Sequence, residues 1–186
     1  IGAYAFSGCN NLTSVTFEEG SKLETLDTSF YDSGITEFTI PKNVKKIESI
    51  AFMNLSSLKS VRFEDDSNVT VLPSQLFDGC YNLTTIDFGK NSKIQTIEYL
   101  AFEKCVKLTA VDVPQSVTKI GDWAFRGCKA IKSITIHAGV ESVGRQAFGG
   151  WTKDQIVYVE WYLKAPDGWS SDWNAKCDAT VIWSMV

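Results

Sequence analysis

The feature that most constrains this chain is an internal repeat. Phenylalanine marks it: Phe6, Phe30, Phe52, Phe77, Phe102, Phe125 and Phe148, at intervals of 24, 22, 25, 25, 23 and 23. Alanine precedes five of them, as Ala5, Ala51, Ala101, Ala124 and Ala147. Units of this size cannot each build a core. They stack, and each buries its apolar face on the next.

The rest of each unit keeps register. Three residues after the Phe stands Cys9, Ser33, Leu55, Cys80, Cys105, Cys128 or Trp151. An aliphatic follows (Leu12, Ile35, Leu58, Leu83, Leu108, Ile131, Ile156), then a second (Val15, Phe38, Val61, Ile86, Val111, Ile134, Val159). A third lies two further on (Phe17, Ile40, Phe63, Phe88, Val113, Ile136, Trp161). A turn-rich link then leads to an apolar pair spaced by three, such as Ile94/Ile97 or Val117/Ile120.

A period of three, as in Phe6, Cys9, Leu12 and Val15, suits tight 3₁₀-like turns. The step of two from Val15 to Phe17 is the period of a strand. Each unit therefore reads as one coil: a turn-rich arc, a short strand, a link and another extended piece. Pro41 and Pro114 follow strand residues, where a missing N–H does no harm. Gly8, Gly79 and Gly127 precede the Cys position, where the arc turns tightly. Two units depart from the pattern. Unit two has a shorter arc. The last reads as longer, with eight residues from Phe148 to Ile156.

At these residues a family resemblance becomes specific. Ile120-Gly121-Asp122-Trp123-Ala124-Phe125-Arg126-Gly127-Cys128, followed by Ile131 and Ile134-Thr135-Ile136, resembles the repeat of BspA-like leucine-rich-repeat proteins. So does the run from Ile1 to Val15. The expected fold is a β-rich, right-handed leucine-rich-repeat solenoid of about seven coils of 22–25 residues, with short strands and 3₁₀-like turns. It should span residues 1–161, with an incomplete first coil that frays or continues into a missing upstream region. The resemblance implies a secreted or surface-displayed microbial protein. Several members of the family are adhesins.

Residues 162–186 read differently. Five of the six tryptophans lie at or after position 151, and the stretch 165–174 keeps no repeat register. This segment is expected to be a Trp-rich cap packed on the last coil, because a solenoid must cover its final apolar face. The sharper alternative is sugar stacking on exposed rings of Trp169 and Trp173.

Other chemistry is sparse. Hydrophobic residues make up 44% of 186 and the net charge is −4, which excludes a generally basic nucleic-acid binder. No apolar run is long enough for a membrane span. The chain starts at Ile1 with no signal peptide visible, and reads as a piece of a longer protein. Cys9, Cys80, Cys105 and Cys128 share one inward position and are expected to be reduced core thiols. Cys177 should be the most exposed. His137 is the one histidine, at a strand end, with no nucleophile motif beside it. Glu18-Glu19 and Glu64-Asp65-Asp66 read as solvated links, since calcium requires a richer oxygen set. Of four Asn-x-Ser/Thr triplets, at Asn11, Asn54, Asn68 and Asn82, three are read as products of the repeat. No catalytic residue, metal site or cofactor is expected.

The remaining candidate surface is the outer side of the strands. Alternation points Thr16, Thr39, Arg62, Asp87, Asp112, Thr135 and Glu160 outward. At roughly 4.8 Å per coil these form a ladder about 30 Å long. The expected role is non-enzymatic binding of a protein ligand, such as a host extracellular-matrix or surface protein, by an extracellular adhesin segment. The alternatives are a passive stalk presenting another domain, or polysaccharide binding through the tryptophans.

Overall fold

The computed structural model describes residues 1–18, 20–161 and 164–184. Glu19 of the first acidic pair, and residues 162–163 and 185–186 of the expected cap, lie outside the described residues. Among those described there is no helix. The strands are short: β1 (Thr25–Leu26), β2 (Glu37–Ile40), β3 (Lys46–Ile47), β4 (Ser60–Phe63), β5 (Val71–Leu72), β6 (Thr85–Asp87), β7 (Thr96–Ile97), β8 (Lys119–Ile120), β9 (Ser133–Ile136), β10 (Ser142–Val143), β11 (Ile156–Val159) and β12 (Thr180–Trp183).

Every pairing is parallel, and each strand pairs with its equivalent one coil away. The longer strands form two three-stranded sheets, β2-β4-β6 and β9-β11-β12. The two-residue strands form β5-β7-β8-β10 and β1-β3. Alternation explains the strands: in β2, β4 and β9 the aliphatic or aromatic residues are buried and their neighbours face out.

Inside the coils runs a column of phenylalanines. Phe6, Phe30, Phe52, Phe77, Phe102, Phe125 and Phe148 stack with centroids 5.3–6.0 Å apart. All but Phe6 are fully buried. Each such ring contributes roughly 1.5–3 kcal/mol by leaving water.

The arcs are chains of hydrogen-bonded turns. Around Phe77, the Cys80 N–H donates to the Phe77 carbonyl and Leu83 N–H to that of Cys80, both at 3.1 Å. The spacing of three is present, yet no 3₁₀ helix forms among the described residues. Residues two before and two after Phe77, Phe102 and Phe125 interrupt it with left-handed backbone: Gln75 and Gly79 (φ 58° and 72°), Leu100 and Lys104 (56° and 58°), Trp123 and Gly127 (55° and 74°). At Gly79 the left-handed backbone is reached without the strain a side chain would add.

The tail keeps winding, contrary to the reading of 165–174 as out of register. Ser170 N–H donates to Val143 O at 2.8 Å, as Gly144 N–H does to Ile120 O. Gly150 N–H donates to Lys176 O at 2.7 Å, as Gly127 N–H does to Gly149 O. β12 then pairs with β11. The backbone register continues while tryptophans replace aliphatics, so the pattern of residue types is lost. We number the coils 1 to 7 by their Phe and call the tail coil 8.

Candidate functional site

The outer ladder begins as expected. Thr39, Arg62 and Asp87 are direct neighbours on β2, β4 and β6, and all are exposed. Arg62 Nε lies 3.5 Å from Asp87 Oδ2 and its guanidinium 3.7 Å from Asp65 Oδ1. Asp87 Oδ1 also accepts from Gly89 N–H at 2.9 Å. These pairs are solvated, so each is worth about 0–1 kcal/mol. They fix side-chain directions more than they stabilise the fold. Thr16 is exposed in coil 1, outside any strand.

The ladder is then interrupted. Asp112 is exposed, but Val111–Val113 forms no strand and separates the two three-stranded sheets. Grooves of about 570 and 330 Å³ flank it.

In coil 7 the expected ladder residue is corrected. Thr135 pairs with Tyr158, not with the position of Glu160. Val157 and Val159, not Val159 and Trp161, take the inward places opposite Ile134 and Ile136. Phe148 to Val157 is nine residues, as is Phe125 to Ile134, so this coil is not longer. Its aliphatic is replaced by exposed Asp154, and following residue type rather than spacing shifts the strand by two. The buried Gln155 amide bridges the gap, donating to Cys128 O at 3.0 Å and Ile131 O at 2.8 Å. The ladder therefore ends Thr135, Tyr158, Ile182, with Tyr158 and Ile182 exposed. The spacing from Phe148 was the signal that would have found Tyr158.

The sugar-stacking reading of Trp169 and Trp173 is also corrected. They are 6% and 5% exposed. Trp173 meets Phe148 edge-on at 6.1 Å and Trp169 at 5.1 Å. Trp169 Nε1–H donates to Val140 O at 3.1 Å. Rings with no free face cannot stack on a sugar. They are buried because they close the Phe column and replace the aliphatics of the coil before.

His137 is buried and both ring nitrogens are engaged. Nε2 meets Pro114 O at 2.9 Å, and Nδ1 accepts from Gly139 N–H at 3.1 Å. With Nδ1 accepting, Nε2 carries the proton. The ring ties two short links together and has no lone pair left for a substrate.

The cysteine slot has a clear logic. Cys80, Cys105 and Cys128 donate to the carbonyls of Phe52, Phe77 and Phe102 at 3.0, 3.2 and 3.1 Å. Trp151 does the same to Phe125 O through Nε1, at 2.9 Å. The slot suits a residue that fills space and offers a donor. All five cysteines are free thiols. Burial pushes the Cys80 thiol up to about 12 and raises Cys105 and Cys128 well above their ordinary value. The exposed thiol is Cys9, not Cys177, which is half-buried. Cys9 sits in coil 1, which has a described neighbour, coil 2, on one side. Among the described residues no group of three His, Cys, Asp or Glu is placed to hold a metal, and no helix is long and apolar enough to cross a membrane.

With this geometry the comparisons with known proteins agree. A BspA type leucine rich repeat profile matches in six copies, over residues 1–94 and 26–156. This chain belongs to the BspA-type leucine-rich-repeat family. A leucine-rich repeat protein from Eubacterium ventriosum is 36% identical, with a TM-score of 0.71 over 80% of this chain and 39% of its own. One from Bacteroides ovatus has a TM-score of 0.72 at 20% identity, over 96% of this chain and 50% of its own. The leucine rich repeat protein of T. pallidum, at 22% identity and TM-score 0.52, shares the fold over 74% of this chain. The chain thus spans half or less of the first two solved relatives. No curated protein matches it at the same stringency. BspA-type coils are a repeat scaffold, and here their outer strands carry the exposed ladder just described.

Proposed function

We propose that this chain is a non-enzymatic binding segment of a bacterial surface-displayed or secreted protein, and that it takes a protein ligand on the outer strand ladder. The observation that carries the reading is the row of exposed side chains held in strand register: Thr39, Arg62 and Asp87 at one end, Thr135, Tyr158 and Ile182 at the other. Side chains fixed on strands lose little freedom on binding, which lowers the entropic cost of association. The polar end favours steering of a charged partner. The end with Tyr158 and Ile182 offers the apolar contact from which interface hot spots are built. A host extracellular-matrix protein is the partner class that suits a family whose members act at microbial surfaces.

The test is a binding screen of the folded chain against matrix proteins and mucin. A saturable hit lost in Tyr158→Ala and weakened in Arg62→Ala/Asp87→Ala supports the ladder. A hit unaffected by all three substitutions removes this face. No binding by a chain shown folded by circular dichroism supports the alternative, a stalk that presents another part of a longer protein.

A further inference from the structure

On the arc side of coils 5 to 8, away from the strand ladder, four cationic side chains surround one groove. It has a volume of about 390 Å³, and Lys104, Arg126, Lys129 and Lys176 line it with no acidic residue among its walls. All four are exposed. The groove exists because coil 7 carries Gly149 and Gly150 where coil 5 has Glu103-Lys104 and coil 6 has Arg126-Gly127. Loss of those side chains leaves a trough one coil wide between the walls of coils 6 and 8. Two coil steps of roughly 4.8 Å set its width near 10 Å.

The wall is held in place from behind. The Glu103 carboxylate, 7% exposed, lies 3.4 Å from Arg126 Nε and 3.6 Å from Lys104 Nζ. The Arg126 guanidinium also sits over the Trp123 ring, 5.7 Å from its centroid. Four cations against one buried carboxylate leave a local charge of +3 on a chain of net charge −4.

We infer that this groove binds a linear anionic polysaccharide, its sulfate or carboxylate groups held by Lys104, Arg126, Lys129 and Lys176. The width suits a single strand and excludes a nucleic-acid duplex. No aromatic ring lines the groove, so it lacks the stacking platform on which single-stranded nucleic acid depends. Its recess behind the rim suits a polymer chain better than a flat lipid surface. The site is independent of the strand ladder.

The experiment compares dextran sulfate, polygalacturonate and uncharged dextran on the full chain, with single-stranded DNA as a charged control. Two charge-matched variants are used: Lys129→Glu/Lys176→Glu in the groove and Lys22→Glu/Lys59→Glu elsewhere. Neither pair of lysines makes an ion pair among the described residues, and circular dichroism checks folding. The expected result is salt-sensitive binding of one or both anionic polysaccharides over dextran, weakened at least tenfold by the groove variant and less than twofold by the other. Which polymer binds distinguishes sulfate from carboxylate recognition. Equal loss in both variants would mean that net charge alone drives binding, and overturns the site. So would equal binding of dextran, tighter binding of DNA, or no binding of either anionic polymer at low salt.

Discussion

The two ends of the coil stack face the same problem and meet it differently. Among the described residues, the outermost coils each have a neighbour on one side, and their apolar rows differ in how they are covered. In coil 1, Phe6, Leu12, Val15, Phe17 and Leu23 are only partly buried, and Val15–Phe17 forms no strand. Coil 8 keeps the ladder through β12 and fills the core with Trp169 and Trp173, with Trp183 half-buried against both at 6.5 and 6.3 Å. Bulk fills coil 8 where aliphatics fill the coils before it. One tryptophan covers area that would otherwise need several aliphatics.

The largest expected effect tests that difference directly. Trp173→Ala should cost about 3–5 kcal/mol, the usual range for a large buried ring. Phe6→Ala, at the open end, should cost about 1 kcal/mol, because its ring is still partly in water. Urea unfolding midpoints measure both. Equal losses would mean that the ends are equally sealed. Amide exchange sharpens the comparison: amides of residues 9–17 should exchange faster than those of β11 and β12.

Thiol ionisation comes next. The folded state binds the Cys80 proton more tightly than the unfolded chain does, with a value near 12 against 9.0. Its contribution is therefore intact below pH 9 and is lost as pH rises from 9 toward 12. At pH 10 burial of the Cys80 thiol should cost about 1.4 kcal/mol. Substituting Ala at Cys80, Cys105 and Cys128 should flatten the alkaline fall in stability. The terminal coils supply the contrast: Cys9 should react with a maleimide in the native state, and the three interior thiols only on unfolding.

Smaller effects separate the interior coils from one another. Ile50 is a β-branched residue at φ 60°, in the place that Gln75 and Gln146 fill in other coils. Ile50→Asn should raise stability by about 1 kcal/mol, since left-handed backbone penalises branching at Cβ. Calorimetry that shows a loss instead would mean that the Ile50 side chain packs better than its strain costs. Smallest of all is the Arg62–Asp87 pair, whose double-mutant cycle should give under about 1 kcal/mol of coupling. A larger value would give the polar end of the ladder a structural role besides recognition.

The sequence was most legible where one coil packs on another of its own kind. The Phe column, the inward aliphatics of coils 2 to 6 and the cysteine slot all follow from spacing alone, because a parallel stack repeats each contact at the same step. Legibility failed where a coil changes chemistry while keeping geometry. Asp154 broke the aliphatic pattern without altering length, which moved Glu160 into a place that Tyr158 occupies. Coil 8 hid its register behind tryptophans, which made Trp169 and Trp173 look available when they are buried. The gap at Asp112 was not legible, because Val111 and Val113 keep the inward pattern and the break shows only in the backbone pairing.

What the sequence determined by itself is the coil and its inward face, since period and burial are local and repeat down the chain. What only the tertiary structure decided is which outer residues share a surface. Thr135 meets Tyr158 and Lys104 meets Arg126 because backbone bonds between coils set the register, and the empty space at Gly149 becomes a groove only when coils 6 and 8 stand on either side of it.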